Sequence, residues 1–418
     1  MKTPISRKQA VQTLLELVVP TPPEDRAPLN GIGCVTATTV TAHCQVPEQA
    51  HSLRDGYALR MADIEQASPA TPVRLAVTQA ICAESRNPRP LGPNETARVL
   101  TGGPVPDGAD AVLAEEDVTI EATTIRVHSP VKKGWFIRPA GGEIDARTII
   151  SQPGHELTPQ AAAVMTRTRT GPISMHPTPT ARLFALGSEL VDPTIHTDPK
   201  RFPADNLVLQ RGLFEACGVT VTNATVIPDN KHTLISQLGT PPFPNIIVTT
   251  GGTGRSERDF AKTGAQDSGF TILFDAVDIR PGRHVFAAIR DTTILFGLPG
   301  PPAAGHACFH ALILPVIRRL RGLPDTPAPL KARFTQQLEA RHGSEWLVQC
   351  ALSLHGSQLT ATPLASKKVP PMLGLAQANG LAFLQGNTTI LPGHEVEVAT
   401  TLFEGGCLSP RPPIPLFS

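Results

Sequence analysis

The chain has 418 residues, enough for several hydrophobic cores and about two to four domains. Its 37 lysines and arginines nearly cancel 36 aspartates and glutamates, which excludes a nucleic-acid binder working through a general basic field. Charged residues are only 17% and apolar residues 40%, so the chain reads as folded and not as a disordered acidic tail.

No apolar run reaches the ~18 residues that a bilayer span needs. The N-terminus, Met1-Lys2-Thr3-Pro4, lacks a signal-peptide core. No membrane role and a cytoplasmic location are therefore expected. Seven scattered cysteines without a CxxC pair indicate neither a disulfide framework nor a zinc ribbon, and buried thiols are expected.

In chain order, residues 5–18 carry apolar positions at helical spacing. From 35 to about 131, short β-rich runs such as Val73-Arg74-Leu75-Ala76-Val77 are broken by Pro, Gly and Asn, which predicts an all-β region. Thr158-Pro159 suits the N-cap and first position of a helix over 158–167. Beyond 180 the rhythm alternates. Strands are expected at 182–186, 219–226, 245–250 and 293–296, and helices at 206–217, 230–238, from about 259, and from 303 to 320. Such alternation predicts a parallel sheet with helices on both faces, and ligands bind beyond the carboxyl ends of its strands. A linker at 322–327 leads to β-like runs at 332–336, 346–354, 380–384 and 395–400, a small all-β tail.

Several loops carry chemistry. Thr249-Thr250-Gly251-Gly252-Thr253-Gly254 falls where a buried strand turns towards a helix. Glycines there let backbone N–H groups approach an anion, with Thr253 and Ser256 as further donors. A tight turn requiring positive φ is the plainer alternative. Gly297-Leu298-Pro299-Gly300-Pro301-Pro302 has the same setting and reads as a second ligand-facing loop or a rigid connection. Asp55, Glu143, Asp145, Glu189, Asp205, Glu257 and Asp259 lie beside Gly and Ser in loops. A converging subset would suit a hard cation such as Mg²⁺, while singly each reads as a solvated charge or a helix cap. Arg280-Pro281-Gly282-Arg283-His284 sets two guanidiniums around a turn, a fork suited to oxyanions; Lys367-Lys368 is a second basic pair. His306 and His310 share a helix face at i, i+4. There is no HExxH, no Walker A loop and no GxSxG elbow.

Taken in order, these segments resemble the MoeA family of molybdopterin molybdenumtransferases, whose eukaryotic relative is the gephyrin E domain. Ser52-Leu53-Arg54-Asp55-Gly56-Tyr57-Ala58 looks like the family's S-A-M-D-G-Y-A. Thr101-Gly102-Gly103-Pro104-Val105-Pro106-Asp107-Gly108-Ala109-Asp110-Ala111-Val112 is close to T-G-A-P-V-P-x-G-A-D-A-V. Thr250-Gly251-Gly252 through Asp259-Phe260 resembles S/T-G-G-V-S-V-G-x-x-D-F, and Gly297-Leu298-Pro299-Gly300 matches the start of G-L-P-G-N-P. The chain departs from the pattern at Ala204, which replaces an aspartate, at Pro301, which replaces an asparagine, and at Arg280 and Arg283, which replace the lysines of K-P-G-K.

The resemblance implies a multi-domain α/β and β chain. It would have a discontinuous helical and extended N-terminal linker and dimerisation domain over 1–44 and 137–179, and a β-rich inserted domain over 45–136. A three-layer α/β parallel-sheet, molybdopterin-binding-like domain over 180–323 and a C-terminal β-barrel-like domain over 328–404 would follow. The implied activity is insertion of molybdate into adenylylated molybdopterin with release of AMP, assisted by Mg²⁺, in a homodimer. Asp55, Glu189 and Asp259 would be catalytic, and together with Glu257 would hold the metal. Thr101, Gly251, Gly252, Thr253, Ser256, Arg280, Arg283, Gly297, Pro299 and Gly300 would bind substrate. A molybdopterin adenylyltransferase or a molybdoenzyme is the implied partner. The departures from the pattern leave an alternative, a non-catalytic carrier or scaffold of the same fold.

Overall fold

The computed structural model describes residues 3–194, 200–253, 260–325, 330–364 and 370–401. The chain divides into two compact units. One comprises Met1–Glu24, Gly33–Ala37 and Met175–Ser418; the other comprises Asp25–Ile32 and Thr38–Ser174.

The second unit is built on a six-stranded curled sheet. Its order is Ala111–Ala114, Gly56–Leu59, Glu95–Val99, Val73–Ile81, Thr124–Val127, Val118–Glu121. Side chains alternate across a strand, and Gly56–Leu59 and Ala111–Ala114 are buried on both faces, while Val73–Ile81 keeps one face largely exposed. Tyr57 and Leu59 pack with Leu75, Leu113 and Ile125, while Ala58 faces Ile81, Ala97, Val99 and Val112 on the other side. Gly56 is required by close approach: a Cβ there would collide with the Leu113 carbonyl of the neighbouring strand. The helix Pro159–Arg167 starts as its sequence indicates, with the Ala161 N–H donating to Thr158 Oγ1 at 3.2 Å and Pro159 at the first position.

The first unit holds a six-stranded sheet in the order Thr220–Ile227, Thr180–Leu186, Ile246–Thr250, Thr293–Leu298, Phe286–Arg290, Thr271–Phe274. The first four run parallel. The three inner ones, Thr180–Leu186, Ile246–Thr250 and Thr293–Leu298, are largely apolar because both faces are covered: Leu183, Val248 and Phe296 enter one core, and Phe184, Ile247 and Leu295 the other. The edge strand Thr220–Ile227 is half-exposed and carries polar residues. Two antiparallel strands, Phe286–Arg290 and Thr271–Phe274, extend the sheet beyond the parallel part that the alternating pattern indicates. The N-terminal helix Arg7–Leu17 opens with a capping box between Ser6 and Gln9 and buries Ala10 and Leu14 in the larger core.

The helix expected over 303–320 is one run with an irregularity. Pro302–Cys308 and Leu314–Leu320 flank a π-helical turn at Phe309–Ile313. Pro315 cannot donate to the carbonyl four residues back, and the wider turn ahead of it accommodates that loss.

The tail is a closed sheet. Glu345–His355 pairs with Gln358–Pro363, and the order continues through Leu330–Phe334, Glu395–Thr400 and Gly380–Leu384, which pairs back with Glu345–His355. Gln358–Pro363 and the helix Pro371–Gln377 add to the four expected strands. Of the cysteines, Cys34, Cys308 and Cys350 are buried as expected, but Cys44, Cys82 and Cys217 are only half-buried; Cys407 lies outside the described residues. Among the described residues no helix is long and apolar enough to cross a membrane.

Candidate functional site

The four parallel strands end on the same edge of their sheet, and three of them feed loops that the sequence marks. After Leu186 the chain turns through Gly187 (φ +155°), where a Cβ would sit 2.7 Å from Glu189 Oε1. The missing side chain therefore lets the Glu189 carboxylate fold over the strand end. Among the described residues that carboxylate accepts no hydrogen bond, so it is available to a ligand.

The neighbouring strand ends at Ile227 and continues into Pro228-Asp229. The Ser188 N–H donates to Asp229 Oδ2 at 3.3 Å, and the Asp229 N–H donates to Ser188 Oγ at 2.9 Å. This reciprocal pair brings a second exposed carboxylate beside Glu189. Sequence reading did not single out Asp229. Its one visible signal is its place just after a parallel strand, which is where ligand-binding loops sit.

The third strand ends in Thr250-Gly251-Gly252-Thr253. Gly251 (φ +85°) donates its N–H to the Leu298 carbonyl at 3.0 Å, which ties this loop to the next. A Cβ on Gly251 would lie 2.8 Å from the Leu186 carbonyl, so glycine serves both conformation and close approach. Gly252 and Thr253 are half-buried. Ser256, Glu257 and Asp259 lie outside the described residues. The following helix is Ala261–Asp267.

At the fourth strand end, Gly297 is buried inside the strand, where a Cβ would overlap the Phe286 ring, so its lack of a side chain is explained by packing. Pro299 is half-buried and Gly300 exposed. Asn206, on the helix Asp205–Ala216, donates from Nδ2 to the Gly300 carbonyl at 2.6 Å and so holds this loop. The oxygen of that amide and both polar atoms of Gln210 are buried with no protein partner among the described residues.

Arg280 and Arg283 flank a turn at Gly282 (φ +110°). A Cβ at Gly282 would overlap Cys308 Sγ, so the turn lies directly on the long helix. Both guanidiniums are exposed, and neither has an ion-pair partner among the described residues. Lys367 and Lys368 lie outside the described residues.

Asp55 and Thr101 belong to the other unit and are brought together there. Asp55 precedes the strand Gly56–Leu59, and Thr101 follows Glu95–Val99. Asp55 Oδ1 accepts from the Thr101 N–H at 2.6 Å and from Thr101 Oγ1 at 2.7 Å. The backbone bond first and then the hydroxyl hold the Asp55 carboxyl below its ordinary range, so it is a carboxylate at neutral pH. Oδ2 accepts nothing among the described residues and stays open to a cation or a donor. Of the other acidic loop residues, Glu143 pairs with Arg138, and Asp205 opens its helix.

His306 and His310 do share a face, with ring centroids 4.7 Å apart. Burial lowers His306 to about 4 and, with His306 beside it, His310 to about 3. His310 keeps some open surface, but both of its ring nitrogens are covered, and that decides its titration. Among the described residues no three His, Cys, Asp or Glu side chains converge as a ready-made metal centre. Mg²⁺ is commonly held in another mode, by one or two carboxylates completed by substrate phosphates, and Glu189 and Asp229 are exposed carboxylates at adjacent strand ends.

Comparison with known proteins agrees along almost the whole chain. Residues 5–168 match the family described as the MoeA N-terminal region (domain I and II), and residues 182–319 match the probable molybdopterin binding domain. The chain is similar to the molybdopterin molybdenumtransferase of Staphylococcus epidermidis, with 26% identity over 403 residues and 96% of each chain covered. The Staphylococcus aureus protein of that name is 25% identical over the same length. In structure it is similar to a molybdopterin biosynthesis MoeA protein of Pyrococcus horikoshii, with a TM-score of 0.81 at 22% identity over 95% of this chain and 99% of that one.

Proposed function

Because the chain belongs to the MoeA family, and so to molybdenum cofactor biosynthesis, we propose that it inserts molybdate into adenylylated molybdopterin with release of AMP. The observation that carries the reading is the convergence of four loops at the carboxyl end of the parallel strands, linked by the Ser188–Asp229 pair and by Gly251 to Leu298.

Each group has a task that its chemistry suits. The Gly251-Gly252-Thr253 and Pro299-Gly300 loops would hold phosphate and pterin, since glycine leaves backbone close to the ligand. Glu189 and Asp229, with Asp259, would hold Mg²⁺, which would neutralise phosphate charge as AMP leaves. Asp55, fixed as a carboxylate by Thr101, would orient a cation or a substrate donor. Arg280 and Arg283 would attract the metal oxyanion, whose charge a planar fork matches. Most of the catalysis is then positioning. A homodimer belongs to the same proposal.

A carrier or scaffold that does not turn over is the second reading. It is favoured by Ala204, which leaves the helix Asp205–Ala216 without a side-chain cap or the carboxylate of the family pattern. Reconstitution separates the two. Purified protein would be mixed with adenylylated molybdopterin, Mg²⁺, molybdate and a cofactor-free molybdoenzyme. Appearance of molybdoenzyme activity supports the transferase, and binding without activation supports the carrier.

A further inference from the structure

We infer that Trp346 is a positioning residue for the oxyanion site: its indole face holds the Arg280 guanidinium so that the guanidinium edge, with its N–H donors, is presented to a tetrahedral metal oxyanion. The inference rests on the reading of Arg280 as an oxyanion ligand and adds a residue from the C-terminal barrel to it.

The geometry starts from strand pairing. Ile279–Arg280 adds to the edge of the barrel, in parallel register with Glu345–Trp346, so Arg280 lies opposite Trp346. The Arg280 guanidinium carbon is 5.4 Å from the centre of the Trp346 ring, within the range of a cation–π contact. The ring is itself fixed, since its Nε1–H donates to the Arg341 carbonyl at 2.9 Å. The junction is held on both sides. Ser344 Oγ donates to Asp278 Oδ1 at 2.6 Å, and the Glu345 N–H donates to the Asp278 carbonyl at 3.0 Å.

A second arginine beside this junction shows what is distinctive. Arg7 also stacks on an aromatic ring, Phe383, at 4.5 Å, but Glu345 takes its charge through two bonds of 2.8 Å. That arginine is structural. Arg280 has the aromatic face without the carboxylate, and among the described residues no acid pairs with it. A carboxylate would occupy the same donors that an oxyanion needs. An aromatic ring attracts the cation through its π-face without placing a carboxylate on the guanidinium N–H donors. Stacking also removes side-chain freedom that a ligand would otherwise have to remove on binding. Lysine would gain less from this arrangement, because its point charge has no plane to orient.

The test uses the full chain in a Trp135→Phe background, where Trp346 is the remaining tryptophan. Molybdate binding is measured by equilibrium dialysis and by Trp346 emission, with sulfate as a control oxyanion. Trp346→Leu is expected to weaken molybdate binding about three- to tenfold. Trp346→Phe should restore most of it, and the AMP-release rate at saturating molybdate should stay unchanged. Molybdate should alter Trp346 emission, and Arg280→Ala should abolish that change. In the Arg280→Ala background, Trp346→Leu should cost nothing further, which distinguishes positioning from general damage to the barrel. If Arg280→Ala lowers affinity but Trp346→Leu does not, the inference is overturned while the oxyanion reading of Arg280 stands. If molybdate does not bind, or binds as well without Arg280, both fall together.

Discussion

Two carboxylates proposed for one chemistry, Asp55 and Glu189, are prepared in opposite ways. Asp55 is locked by two hydrogen bonds from Thr101, and its pKa is depressed as a result. Glu189 is placed only by the turn at Gly187, which leaves room for it, and no donor among the described residues holds it. One group is oriented before the ligand arrives. The other is left for the ligand to order. A catalyst that works by positioning needs both kinds, because donors already satisfied by protein cannot also bind substrate.

Substitutions at the two carboxylates sharpen the contrast most. Glu189→Ala is expected to lower AMP release about 10²–10³-fold with little change in thermal stability, since its carboxylate supports nothing in the fold. A stability loss comparable to a core substitution would break that half of the comparison. Gly56→Ala next to Asp55 tests the other half. The Cβ must displace the Leu113 carbonyl, so a loss of about 3 kcal/mol in denaturant unfolding is expected.

Acid sets a further limit, independent of either carboxylate. His306 and His310 have folded pKa values below that of the unfolded chain, near 4 and 3. Groups of this kind contribute stability above the unfolded value of about 6.5, and that stability is lost as pH falls. Unfolding free energy should therefore drop by roughly a few kcal/mol between pH 6.5 and 4, and His306→Gln with His310→Gln should flatten the slope. The smallest effect is local. Thr101→Val removes the hydroxyl bond but keeps the backbone bond, so the Asp55 pKa should rise part of the way towards the ordinary aspartate value. Carboxyl-carbon NMR titration would show this, and an unchanged value would mean that Thr101 Oγ1 does not hold the carboxylate.

The legible parts of this fold are those decided locally. The inner parallel strands are visible in the sequence because both faces are buried, and the helix cap at Thr158 because capping is a contact over three residues. The antiparallel strand Phe286–Arg290 was hidden because it is short and its final residues, Ile289 and Arg290, are only half-buried. The β-barrel-like tail was implied by the family resemblance and not by the residue pattern, because closure depends on Glu345–His355 pairing with Gly380–Leu384, a strand that does not follow it directly in the chain. The site follows the same division. Glycine loops announce themselves, since few residues tolerate their backbone. Asp229 reads as an ordinary turn residue after proline, and only its tertiary bond to Ser188 marks it. Trp346 gives no signal at all until Arg280 is seen opposite it.

The most direct measurement is single-turnover AMP release from adenylylated molybdopterin by the purified protein with Mg²⁺, with and without molybdate. Expected is an AMP burst that depends on molybdate and disappears in Glu189→Ala. Tight substrate binding with no burst under either condition would contradict the transferase and leave a carrier of the same fold.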